Sequence, residues 1–143
     1  MNLRARVPVF AAALWWGSLT AVGFLVVPLL FNVLPTPAMA GQTAARLFSG
    51  QTWLSIACGV LVMMASRPRD GEARMGWAGG VLVYVFAGVL LALLVEFAVA
   101  PRIVARENLA LWHGLGSAMY LAQWLCAGVA LWKLTSLRSS GPS

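Results

Sequence analysis

The chain has little charge. Only 10% of its 143 residues are Asp, Glu, Lys or Arg, against about 25% in soluble domains. With 61% of residues hydrophobic and a mean hydropathy of +0.83, there is too little polar surface for a water-soluble globule. So apolar a chain is not disordered either. Acidic residues are scarcer than basic ones, four against ten, for a net charge of +6. In a soluble protein that excess would suggest nucleic acid. Here it has no soluble surface on which to act, so nucleic acid is excluded and the lipid bilayer is the partner. Histidine occurs once and cysteine twice. One imidazole rules out a bis-histidine haem or a His-rich metal centre. No C-x-x-C, H-E-x-x-H, G-x-S-x-G or Walker pattern occurs, and no nucleophile stands at a recognisable spacing from a base. We therefore expect no metal, no cofactor and no enzyme.

What the chain does have is long uncharged runs, at 47–66, 75–95 and 108–132, and another that begins at 7. Each can supply the roughly 20 apolar residues of a spanning helix. Helices are expected near 8–34, 42–66, 75–99 and 108–133, with Pro35, Pro37 and Gly41 in the first loop and a short flexible polar tail at 134–143. Short connections make neighbours antiparallel, so residues 1–143 form a single all-α membrane domain, an up-down bundle of four transmembrane helices. Arg4, Arg6, Arg67, Arg69, Arg74, Lys133 and Arg138 fall on one side, and Arg46, Arg102 and Arg106 on the other. The positive-inside rule then puts both termini in the cytoplasm. The basic start and Ala38-Met39-Ala40 resemble a cleaved signal, but the apolar stretch is nearly twice the length of a signal core, so the first helix is retained.

Trp77 and Trp132 are expected near the cytoplasmic ends, and Trp53 and Trp112 near the outer ends. Gly76 with Gly80, Gly88 with Ala92, and Gly114 with Ala118 are expected to serve packing within the monomer, a homo-oligomer face being the alternative. Pro28 should kink the first helix and free the carbonyl of Phe24. Cys58 and Cys126 differ in expected depth by roughly 10 Å, beyond disulfide reach.

The polar residues that need explaining gather at the outer end. An ionisable group inside a span is a functional-site hypothesis by default. Glu96, near the end of the third helix, and His113, one turn into the fourth, are expected at one level. Arg46, Gln51, Arg102 and Arg106 lie around them. His113, Ser117 and Tyr120 follow at i, i+4 and i+7, with Trp124 continuing the stripe, so they share a face aimed at the bundle interior. The candidate cluster is thus Arg46, Gln51, Glu96, Arg102, His113, Ser117 and Tyr120, with Pro28 as a kink beside it. As a clamp, Glu96 would pair with Arg102 or Arg106. As a site, the cluster would hold a ligand, proton or ion.

The stretch GSLTAVGFLVVPLLFNVLP at 17–35 resembles the bacterial domain-of-unknown-function family 4149, related to eukaryotic transmembrane protein 205. Ala40-Gly41, Arg46-Leu47-Phe48, Pro101-Arg102-Ile103 and His113-Gly114 with Ser117 follow in order. Pro28, Phe31, Arg46, Phe48, Pro101, Arg102, His113 and Ser117 match that pattern, and Glu96 is not placed on it. The resemblance implies a four-helix integral membrane protein of the bacterial cytoplasmic membrane, with no assigned activity. The expected function is binding or movement of a small molecule or ion through the outer cluster. The alternative is a non-catalytic scaffold or partner subunit in which the cluster clamps helices.

Overall fold

The computed structural model describes residues 3–66 and 75–139, with side chains over 6–66 and 80–136. Every element in it is helical. The first span, α1, runs over Leu3–Thr20, passes through a π-helical segment at Ala21–Val26 and resumes over Val27–Val33. The second, α2, is Pro37–Ala65. The third, α3, runs over Met75–Leu94, a π segment at Val95–Val99, and Ala100–Val104. The fourth, α4, is Leu109–Ser139. All four are long and apolar enough to cross a membrane. They pack in ring order, with α4 closing on α1. The start of α1, the end of α2, the start of α3 and the end of α4 lie at one end, and the α1–α2 and α3–α4 loops at the other.

Three helix boundaries differ from expectation for local reasons. Thr36 caps α2, its hydroxyl accepting from the Met39 amide at 3.3 Å, and Pro37 occupies the first turn, where a missing N–H costs nothing. The helix therefore starts at Pro37, not near 42, and Trp53 lies mid-span, about 24 Å from that end. Pro101 does not end α3 near 99. The π segment before it shifts the backbone register, Ala100 N–H bonding Val95 O, and the helix continues to Val104. At the other terminus α4 continues to Ser139, past the expected end at 133 and into the expected tail. Pro28 repeats the Pro101 arrangement, with Val27 N–H bonding Val22 O one turn above. Beyond Val104, Arg106 (φ 56°) and Asn108 (φ 32°) turn the chain left-handed, and the amides of Ala105, Arg106 and Glu107 return to α3 carbonyls.

The apolar core fills the half of the bundle at the termini. It comprises Ala11, Ala12, Trp15 and Leu19 of α1, Cys58 and Val62 of α2, Val81 and Val85 of α3, and Ala127, Ala130 and Leu134 of α4. Glycines let bulky side chains approach. A Cβ on Gly88 would stand 2.6 Å from the fully buried Trp15 ring, and one on Gly128 2.9 Å from the Trp16 indole nitrogen. Gly88 and Ala92 therefore serve packing within the chain, whereas Gly114 has nothing near it. Cys58 and Cys126 are free thiols. Towards the loop end packing thins. No residue from 21 to 39, and none from 100 to 122, is buried. Arg67, Arg69 and Arg74 lie outside the described residues, as do the side chains of Arg4, Trp77 and Arg138 and the surroundings of Gly76.

Candidate functional site

Polar side chains inside a bilayer need partners from the protein itself, and the structure sorts them into separate groups. Midway along α1, α2 and α4, amides and hydroxyls join three helices. Gln51 Nε2 donates to Ser18 Oγ at 2.9 Å and to Ser55 Oγ at 3.4 Å, and Gln123 Nε2 donates to Ser55 Oγ at 2.9 Å. Ser55 Oγ accepts both amides and donates to Gln51 O at 2.8 Å, while Ser18 Oγ donates to Trp15 O at 2.9 Å. Each hydroxyl thus uses its proton on its own helix and accepts one bond from another helix. Gln51, Ser55 and Gln123 are all buried. Gln51 is therefore a helix clamp at mid-depth.

Next to this layer, α4 grips α1. The Tyr120 hydroxyl donates to Leu19 O at 2.8 Å, and the ring and hydroxyl lie against Gly23. Leu19 and Gly23 are one α-turn apart, so Tyr120 reaches the ladder of α1 where its register changes from α to π. Trp124 Nε1 donates to Thr20 Oγ1 at 2.8 Å, and Thr20 Oγ1 donates to Trp16 O at 2.8 Å. Aromatic rings surround the contact. Phe48 meets Tyr120 edge-on at 5.3 Å between centroids, and Phe24 meets Trp124 at 5.5 Å.

Glu96 faces α2. Ser49 Oγ donates to its Oε1 at 2.7 Å, and the carboxylate is half-buried. Because α3 runs on to Val104, Glu96 lies about 12 Å below that end of its helix, while His113 lies about 6 Å below the start of α4. The two are not at one level. Arg102 stays at the rim. Its Nη1 is 3.9 Å from Glu107 Oε2, both side chains are more than half exposed, and its guanidinium lies 4.6 Å over the Trp112 ring. Such an exposed pair contributes at most about 1 kcal/mol.

The structure therefore divides the expected cluster. Among the described residues, no hydrogen bond or ion pair joins Glu96 to Arg102, Arg106 or His113. Arg46, His113 and Ser117 are exposed, and so is Pro28. Tyr120 and Trp124 do turn inward, as the stripe on α4 predicts, and become partners of α1. Among the described residues, no group of three or more His, Cys, Asp or Glu could hold a metal ion.

Sequence reasoning missed Ser18, Thr20, Ser49, Ser55 and Gln123. The usable signal was the i, i+4 pair Gln51 and Ser55 within an apolar span, passed over in favour of ionisable groups.

No curated protein and no solved structure matches this chain. The model of one family does, the domain of unknown function DUF4149, over residues 10–111, a stretch that includes most of α1, all of α2, Glu96 and Arg102. The chain belongs to the DUF4149 family.

Proposed function

We propose that this protein is a multi-pass protein of the bacterial cytoplasmic membrane, with both termini inside, that binds and passes a small cation, H⁺ included, at Glu96. It carries out no covalent chemistry. The observation that supports this reading is the placement of Glu96, a carboxylate about 12 Å into a spanning helix whose hydrogen-bond partner is the neutral Ser49 hydroxyl. Such a charge is costly at membrane depth and calls for a counter-charge. Ser49 supplies a donor but no positive charge, which leaves that role to a cation from solution. The π segment at Val95–Val99, which carries Glu96, supports the same reading, because π turns recur at functional positions. The orientation follows from the basic residues. Four spans are few for a conducting path, so we read the working form as a homo-oligomer.

Proteoliposomes holding a pH-sensitive dye test the proposal. Wild-type protein should dissipate an imposed proton or monovalent-cation gradient faster than Glu96→Gln reconstituted at the same density. Equal rates, with both proteins folded, would refute it.

A scaffold reading has its own support. The Ser18, Gln51, Ser55 and Gln123 layer gives each hydroxyl both a donor and an acceptor partner and ties three helices together. Under that reading Glu96→Gln would leave gradients unchanged, and a stable partner would co-purify in mild detergent.

A further inference from the structure

The face of α4 that meets α1 can be followed from mid-membrane towards the loop end. Trp124 and Tyr120 hold α1 at Thr20, Leu19 and Phe24. Ser117 and His113 continue that face, lying seven residues before Trp124 and Tyr120 respectively, two turns further up. Both are exposed although they lie on the side turned to α1. Beyond its π segment α1 does not follow α4. Its Val27–Val33 portion packs on α2, and Gly116, on the neighbouring face of α4, contacts Val99 of α3. Nothing from 21 to 39 or from 100 to 122 is buried.

We infer that α1 and α4 diverge above Tyr120 into a crevice open to the bilayer, which takes an anionic amphiphile with its head on His113 and Ser117 and its hydrocarbon chain running down to the aromatic floor. Tyr120, Phe48, Trp124 and Phe24 make that floor. The chemistry of the walls selects the occupant. His113 and Ser117 each offer a hydrogen-bond donor, and Phe31, Val33, Leu111 and Leu115 add exposed apolar surface at the same end. Three arginines, Arg46, Arg102 and Arg106, stand at this end against Glu96 and Glu107, which favours an anionic head. The walls meet at Tyr120, about 10 Å from His113 along α4. The site is separate from Glu96, which faces α2 from α3.

The test uses the full chain in lipid nanodiscs with two photoactivatable probes, a diazirine fatty acid and a diazirine lysophosphatidic acid, which distinguish a carboxylate head from a phosphate. Labelled residues are mapped by mass spectrometry. Label from either probe should concentrate at 24–31 and 113–121 and fall about fivefold in His113→Leu/Ser117→Leu, as expected for loss of a hydrogen-bonded head. His113→Gln, which keeps a donor, should retain most of the label, and Leu90→Ala, on the exposed face of α3, should retain all of it. Label spread evenly over Phe86, Leu90 and Leu125 would overturn the proposal by showing ordinary surrounding lipid. A Ser117→Cys disulfide between two copies, with label excluded, would overturn it in favour of an interface.

Discussion

Replacing Gly23 by alanine tests the contact on which the upper half of the bundle depends. The new Cβ would stand 2.5 Å from Tyr120 Cε1 and 3.2 Å from its hydroxyl oxygen. No real Cβ tolerates the first distance, and the ring cannot simply rotate away because Phe48 packs on it edge-on and Leu19 O holds its hydroxyl. Overpacking of this kind costs about 1–3 kcal/mol, and displacing the hydroxyl forfeits an interhelical bond of about 0.6–1.7 kcal/mol. Against that, alanine is a better helix former than glycine by about 0.5–1 kcal/mol. The net expectation is destabilisation of about 1–3 kcal/mol. Reversible unfolding in mixed detergent micelles, followed by circular dichroism, measures it. Tyr120→Leu removes both the ring edge and the hydroxyl, so in that background Gly23→Ala should cost much less, and the double-mutant cycle should return a coupling of at least about 1 kcal/mol. If Gly23→Ala instead stabilises the protein, showing only the helix-propensity gain, the ring does not occupy the notch and the grip of α4 on α1 is wrongly assigned.

Gly88→Ala should be at least as damaging, because its Cβ would meet the fully buried Trp15 ring at 2.6 Å; a Trp15→Leu background should relieve it in the same unfolding assay. Ser55→Ala strands the Gln123 amide and leaves Gln51 with Ser18 alone, so it should cost about 1–3 kcal/mol. Gln123→Leu removes one donor together with its need for a partner, and should cost less than Ser55→Ala in the same micelles.

How much of this was legible in the sequence depended on the period of the signal. Long uncharged runs gave four helices because a span is a property of some 20 residues and survives small errors. Boundaries failed where one residue decides them. Pro37 reads as loop punctuation unless Thr36 before it is recognised as a cap, and Pro101 reads as a stop unless the helix can change register first. The second error had a consequence for the site. Ending α3 near 99 raised Glu96 to the level of His113 and produced a single cluster; extending it to Val104 returns Glu96 to a greater depth and assigns it to Ser49. Helical spacing puts the stripe on α4 on one face, but only its lower half, Tyr120 and Trp124, meets α1, while His113 and Ser117 are exposed. It could not say that α1 would leave that face halfway up, since the departure is written in α1, at the π segment before Pro28.

That departure connects the two prolines. Pro28 and Pro101 each follow a π segment, and both sit towards the loop end of the bundle. A proline in an unbroken α-helix removes one ladder bond and presses on the carbonyl a turn earlier. A π turn just before it widens the backbone there and lets the span continue. The extra residue also rotates everything beyond it by about a quarter-turn or more relative to the face below. Side chains on α1 that would have continued the Leu19 and Gly23 face towards α4 are turned elsewhere, and Val27–Val33 packs on α2 instead. The half of the bundle below the π segments keeps its helical faces in register and buries Trp15, Leu19, Val62 and Val85. The half above loses that register in two of four helices and buries little. The opening of the loop end thus follows from where two prolines fall in the sequence, without any need for polar residues to force the helices apart.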